Sequence, residues 1–302
     1  MGVFVFGILT SNNCHHITFI YLIYISIIPE MVKFDFDFKS HIKKYILKNK
    51  LFKKNHNSIY DLDYILDVIE YILKTGASWR TLDLAIFKKN NTKWQSIYYH
   101  FEKFSKAKVF ENVYKELLTT YFKKNKSGKL KYISVDAAFI KNKYASNVAF
   151  NGFCKKKKLS KLSLFVDSYG VPLSALLVKG NKNDCSIFDD NWKDMFVEIE
   201  SHTNNNKHKR YILADTAYDS KKIHEKIKSK NITPIIWQHG RRKNITKFNK
   251  HEREIYNKRI IVENCFSWLF KNHRIERRMD KLTRNYYSFM YIAFIRILLK
   301  RM

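Results

Sequence analysis

The sequence predicts an α/β fold, a mixed five-stranded sheet with flanking helices preceded by a small helical module, and three observations carry that prediction. Short runs rich in β-branched and aromatic residues recur in the middle of the chain, at 131–136, 162–167, 172–179, 210–215 and 232–237. Stretches free of Gly and Pro, with apolar residues at helical intervals, follow or separate the later runs near 185–203, 219–230 and 252–273. Ahead of residue 125 the apolar spacing is helical, at 58–75, 94–104 and 110–121.

Taken in order, residues 1–30 fit neither part. Ile17–Ile28 is an apolar run too short to span a bilayer, and no Lys or Arg precedes it as a secretory signal requires. The charged, helical character begins just after Met31, so the expectation is that Met31 is the natural start and that the leader is not native; an uncleaved membrane anchor is the alternative. Residues 31–125 then form the helical module and 126–302 the sheet domain. Within the sheet, Gly170-Val171-Pro172 marks a turn between the second and third strands, and Pro234 is tolerated only at an edge or a strand start. Lys155 to Lys158 read as a loop between the first two strands. The tail from Asn285 is an apolar and basic helix whose Phe289, Ile292, Ala293 and Ile297 cover the core.

Two of the β-rich runs stop at a carboxylate: Tyr132-Ile133-Ser134-Val135 at Asp136 and Tyr211-Ile212-Leu213-Ala214 at Asp215. Each Asp is expected at a strand's carboxyl end, where open α/β sheets place their ligand crevice. Two carboxylates brought together there repel, and one stays protonated near neutral pH unless a cation lies between them. Mg²⁺ or Mn²⁺ suits such a site, because these ions take hard oxygen ligands and leave room for phosphate oxygens. A third acid, Glu263, lies in the helical stretch 256–271. Tyr256, Arg259 and Glu263 follow steps of three and four and share one face, while Ile261, Cys265, Trp268 and Leu269 form an apolar stripe beside it. Taken alone, Arg259 and Glu263 read equally as an ordinary surface pair.

The formal charge of +30 points to a polyanionic partner. Lysine is weak evidence for one, since an AT-rich genome enriches Lys, Asn, Ile, Tyr and Phe together. Arginine is more telling: Arg80 alone precedes position 210, and ten arginines fall from Arg241 onward. Arg241, Arg242 and Lys243 form a basic loop before the Glu263 helix, and Lys271 with Arg274 continues the positive surface beyond it, so phosphates are expected there. A solvated surface is the alternative for either run. Cys14, Cys154, Cys185 and Cys265 show no paired spacing for zinc, which fits a reducing compartment.

Four segments together resemble DDE-type transposases of bacterial insertion sequences, in particular the fifth insertion-sequence family and its Harbinger-like relatives. They are Ile65-Leu66 through Thr75-Gly76-Ala77-Ser78-Trp79-Arg80-Thr81-Leu82; the Asp136 strand with Lys161 to Leu173 and Gly180-Asn181-Lys182-Asn183-Asp184; Ala214-Asp215-Thr216-Ala217-Tyr218-Asp219-Ser220; and the Tyr256, Arg259, Glu263 helix ending in Trp268-Leu269 and Lys271. The resemblance implies a ribonuclease-H-like domain in which Asp136, Asp215 and Glu263 are catalytic and bind two Mg²⁺ or Mn²⁺ ions. Tyr256, Arg259 and Lys271 then lie near DNA, and the helical module, by sequence alone no more than a small helical bundle, reads the element's terminal inverted repeats. Double-stranded DNA, at those repeats and at the target, is the implied partner, with a homo-oligomer assembled on it and no membrane contact. The site of action is the cytoplasm and nucleoid of a bacterium, or the nucleus or viral factory of a eukaryotic or viral host. Two positions depart from the family's habit: Ala137-Ala138 follow the first Asp, and Lys271 falls eight rather than seven residues after Glu263. The alternatives are a metal-dependent nuclease of the same fold that does not join strands, and a DNA-binding relic to which Ala137-Ala138 is the pointer.

Overall fold

The computed structural model describes residues 36–53, 60–83, 93–124, 126–142, 147–151, 157–199, 209–238 and 248–302. The expectations for the leader and for the basic loop Arg241, Arg242 and Lys243 therefore lie outside the described residues.

Among the described residues the long helices that precede the sheet are α1 (Phe36–Lys48), α2 (Leu62–Thr75), α3 (Trp94–Lys106) and α4 (Val109–Lys123), with a 3₁₀ turn at Trp79–Asp83. The last three match the helical spacing of the sequence; α1 precedes them. Asp61 caps α2 by accepting from the Tyr64 amide at 2.7 Å, and Gly76 ends it in the left-handed conformation, φ 69°.

The sheet contains β1 (Tyr132–Asn142), β2 (Ala149–Asn151), β3 (Lys157–Val166), β4 (Pro172–Lys179), β5 (Tyr211–Ala214), β6 (Thr233–Ile236) and a two-residue β7 (Arg277–Arg278). Its main path runs β4-β3-β1-β5-β6, with β2 extending β3 and β7 joining β1. β1 pairs antiparallel with β3 and parallel with β5, which in turn is parallel to β6. That order, with three antiparallel strands leading into parallel ones, is the ribonuclease-H-like arrangement of a mixed sheet. Pro234 sits in outermost β6, so its missing N–H removes no bond from a neighbour on the far side.

Helices α5 (Asp184–Lys193), α6 (Lys221–Lys228), α7 (Lys250–Asn257), α8 (Ile260–Phe270) and α9 (Thr283–Leu299) flank the sheet. The stretch expected as one helix over 252–273 is thus two, meeting at Lys258-Arg259. A capping box starts α7, with the Glu252 amide donating to Asn249 at 2.8 Å and the Asn249 amide to Glu252 at 3.0 Å. The expected helix 185–203 stops at Lys193.

Two further expectations are corrected. Asp136 does not end its strand: β1 runs on to Asn142, because residues through Lys141 keep their ladder with β3. Lys157 and Lys158 belong to β3, not to a loop, since they pair with Asn151 and Phe150 of β2. Packing runs across residue 125, since one core cluster includes residues from Phe38 to Leu298. Phe289 of α9 stacks on Phe101 of α3 with ring centroids 4.6 Å apart, and Phe294 packs on Tyr114 of α4 at 5.4 Å. Fully buried Glu70 of α2 is ion-paired to Lys74 at 2.7 Å and to Arg296 of α9 at 3.2 Å, tying α2 to α9. Among the described residues no helix is long and apolar enough to cross a membrane.

Candidate functional site

Register brings the two aspartates together. Ser134 of β1 is opposite Leu213 of β5, so the register carries Asp136 and Asp215, each two residues further, toward one another, close enough for their charges to interact. Asp136 sits within β1, where Oδ1 accepts from the Ala137 amide at 2.7 Å. Asp215 lies just past β5 and caps the 3₁₀ turn Thr216–Tyr218, accepting from the Ala217 amide at 2.9 Å. Burial, with repulsion from Asp215 added, pushes the Asp136 carboxyl up to about 6 against the pull of Ala137 and Arg259. Burial likewise raises Asp215, with Asp184 adding to the rise and Arg259 and Lys161 opposing it.

Glu263 joins them through an intermediary. Arg259, in the turn between α7 and α8, donates through Nη1 to Asp136 at 3.0 Å and through Nη2 to Glu263 at 2.5 Å. The pair expected at helical spacing is present, and it reaches a strand 123 residues away, which a mere surface pair does not. The arrangement differs from the sequence expectation in one respect: a guanidinium, not open space, separates Asp136 from Glu263. Accordingly, among the described residues no three carboxylate, imidazole or thiol groups are gathered closely enough to hold an ion. The donor chemistry nevertheless fits a hard divalent cation, because Asp136 and Asp215 are close enough for their charges to repel and both offer hard oxygen ligands. Arg259 occupies part of the place such a cation's charge would take.

Tyr256 adjoins this group, its ring 5.8 Å from the Arg259 guanidinium. It also packs on Trp237 at 5.6 Å and Phe248 at 5.5 Å, which touch each other at 5.2 Å. Lys271 is exposed at the end of α8, one face with Glu263 and Ser267 at successive steps of four. Arg274 departs from its expected DNA role. It is 3% exposed, forks onto Asp280 at 2.8 and 2.9 Å, and donates to the Ala77 carbonyl at 3.0 Å, so it is an internal strut.

Two residues near the aspartates were not singled out from sequence. Asp184, at the start of α5, receives Lys161 Nζ at 3.1 Å on both oxygens, and Lys161 also donates to the Lys182 carbonyl. The Cys185 thiol donates to Ala217 O at 2.9 Å, locking the start of α5 against the Asp215 turn. Its signal was Asn183-Asp184, a helix-capping pair opening the stretch at 185. Trp237, 44% exposed, directly follows β6 and so stands at the next strand end in the crevice. A cavity of about 930 Å³ lined by Lys106, Glu111, Asp194 and Arg284 shares no residue with this site.

The sequence profile of the family described as "Transposase DDE domain" matches residues 129–298, which take in β1 to α9 and every residue of the carboxylate group. Among solved structures, the chain is similar to a pre-cleavage Mos1 transpososome at 9% identity and a TM-score of 0.26, covering 74% of this chain and 80% of that one. A Mos1 mariner paired-end complex with Mn gives 9% and 0.24, covering 86% and 95%. Superpositions that loose equate no residue with another. No curated protein matches the chain. With the family profile spanning more than half of its length, the chain belongs to the family of transposase DDE domains.

Proposed function

We propose that the chain cuts and joins DNA at the ends of a mobile element of the insertion-sequence or Harbinger-like type, with Asp136, Asp215 and Glu263 as catalytic carboxylates. The observation that carries this reading is the closeness of Asp136 to Asp215, with Asp136 linked to Glu263 by Arg259, inside the family-matched region. These three acids would hold two Mg²⁺ or Mn²⁺ ions, which when bound supply Lewis acidity and neutralise developing charge on the phosphate. The chain's own residues do the positioning. Arg259 leaves its carboxylates and holds a non-bridging phosphate oxygen, its fork matching that geometry. Lys271 holds a second phosphate further along the helix. Tyr256, fixed by Trp237 and Phe248, orients the strand being cut. In the first step a water attacks phosphorus and the P–O3′ bond breaks, leaving a 3′-hydroxyl; in the second that hydroxyl attacks a target phosphate in line and displaces another 3′-oxygen. Assembly of two copies on paired ends, and action in the compartment that holds the host's DNA, follow from joining two ends at one target.

Strand cleavage of DNA carrying the flanks of the reading frame, in Mn²⁺, tests the proposal. Asp136→Asn, Asp215→Asn and Glu263→Gln should each abolish cutting while leaving folding and DNA affinity largely intact. A variant that still cuts at the wild-type rate removes that residue from the site. Cleavage without strand joining in a paired-end assay would reduce the activity to that of a nuclease.

A further inference from the structure

A second feature of the molecule lies where the last turn of α2 meets the ends of α8 and α9. A cleft of about 630 Å³ opens there, and Lys74, Lys271, His273, Arg296, Lys300 and Arg301 line it. No carboxylate lines it. Buried Glu70 lies beneath and neutralises part of Lys74 and Arg296, so Lys271, Lys300 and Arg301 supply most of the charge that faces outward.

The cleft is constructed rather than a chance gathering of surface lysines. Gly76 ends α2 with φ +69°, and a Cβ there would meet the His273 side chain at 3.2 Å, so glycine lets the two walls approach. Gly170, at φ +80°, would place a Cβ 2.8 Å from the Trp268 ring. Trp268 is thereby seated, and its ring carries the Arg301 guanidinium 4.6 Å away. Arg301 is held from its other side by a hydrogen bond to the Tyr169 carbonyl at 3.3 Å.

Position selects the ligand. Lys271 is eight residues beyond Glu263 on the same helix face, about 12 Å along the axis at ~1.5 Å per residue. Successive phosphates of one strand advance ~3.4 Å along a duplex, so for a duplex lying along α8 the cleft begins about three or four base pairs from the carboxylates. A polymer with evenly spaced negative charges reaches both places; a small anion reaches one.

We infer that this cleft binds the phosphodiester backbone of the same DNA duplex that lies at the carboxylates, three to four base pairs from the reacting phosphate. It acts as a second holding point that fixes where along the duplex the strand is cut. The inference rests on the transposase reading above, but its test does not use cleavage. A fluorescein-labelled mixed-sequence duplex is titrated with the full-length chain in EDTA over a series of KCl concentrations. For wild type, Lys300→Gln/Arg301→Gln and a control Lys221→Gln/Lys228→Gln, the slope of log affinity against log salt is compared, with circular dichroism melts confirming folding. Two lost phosphate contacts should reduce the slope by about 1.8, at ~0.9 per contact, while the control keeps the wild-type slope. An unchanged slope in Lys300→Gln/Arg301→Gln overturns the inference, whether or not Asp136→Asn abolishes cutting. So does a slope loss matched by the control, which would mean diffuse charge. Saturable binding of inorganic phosphate by wild type with no change of DNA slope in the variant would make the cleft a small-anion site and overturn it too. A lost slope with cleavage untouched by Asp136→Asn would leave the cleft standing and sink the catalytic reading instead.

Discussion

Replacing the central catalytic candidate should make the protein more stable. Burial and the neighbouring Asp215 lift the Asp136 carboxyl from its usual 3.8 to about 6. A group whose folded value is raised contributes stability that is fully present below the unfolded value and is lost as pH rises through the folded one. For Asp136 that window runs from pH 3.8 to about 6, and above it the native state carries the whole penalty. At 1.36 kcal/mol per pH unit the gap amounts to about 3 kcal/mol, and discounting for the side chain's 24% exposure leaves about 2 to 3 kcal/mol. Asn keeps the shape and cannot ionise, so Asp136→Asn should recover that amount at pH 7.5. For a chain of 302 residues, at ~2.1 cal/mol/K of unfolding entropy per residue, the melting temperature should rise by roughly 3 to 5 °C. Thermal melts of wild type and variant at pH 7.5, 6, 5 and 4 measure it, and the difference should shrink steadily as pH falls through the window. Mn²⁺ should raise the wild-type melt and leave the variant unmoved. A variant that melts at or below wild type at pH 7.5, or a difference independent of pH, would refute the assignment of Asp136 as a carboxylate held ionised against its surroundings.

Two further outcomes follow from the packing. Asp280→Asn strips the buried Arg274 guanidinium of its bidentate partner and should cost about 3–5 kcal/mol in urea denaturation without altering the DNA affinity of the folded chain; a loss of affinity with stability unchanged would restore Arg274 to the DNA surface. Phe289→Ala should cost about 3–5 kcal/mol and lower a single melting transition, because its ring is packed between the amino-terminal helices and the rest. Two separated transitions by calorimetry would instead show that the helical module folds alone.

What could be read in the sequence was whatever local pattern decides. The five main strands stand where β-rich runs stood, and the face shared by Tyr256, Arg259 and Glu263 is present because three- and four-residue steps meet on a helix even across the bend at Lys258. What could not be read depends on partners distant in the chain. Ala137 to Asn142 has no strong strand signature of its own; it is extended because β3 runs beside it, so Asp136 became a mid-strand residue. Arg274 looked like one more cation in a basic run, and only its fork on Asp280 and its reach to Ala77 make it interior. Asp184 was visible as a helix start, while its closeness to Asp215 needed the Cys185 contact with Ala217.

The electrostatics of the carboxylate group bear on how the resting protein is poised. Arg259 divides its fork between Asp136 and Glu263, while Asp215 accepts the Ala217 backbone amide. Burial is the main cause of the upward displacement of both aspartates, with repulsion from Asp215 adding to it at Asp136 and from Asp184 at Asp215, and Arg259 opposes it at both. A divalent cation opposes it more completely than the arginine does, so the ion's arrival would weaken the hold of Asp136 and Glu263 on Arg259. The displaced guanidinium would then need another anion, and a DNA phosphate brought to the same crevice is the group its planar fork suits. On this argument the contact that joins strand and helix in the resting chain and the contact that grips substrate are alternatives made by one side chain, and ion binding and DNA binding should each strengthen the other.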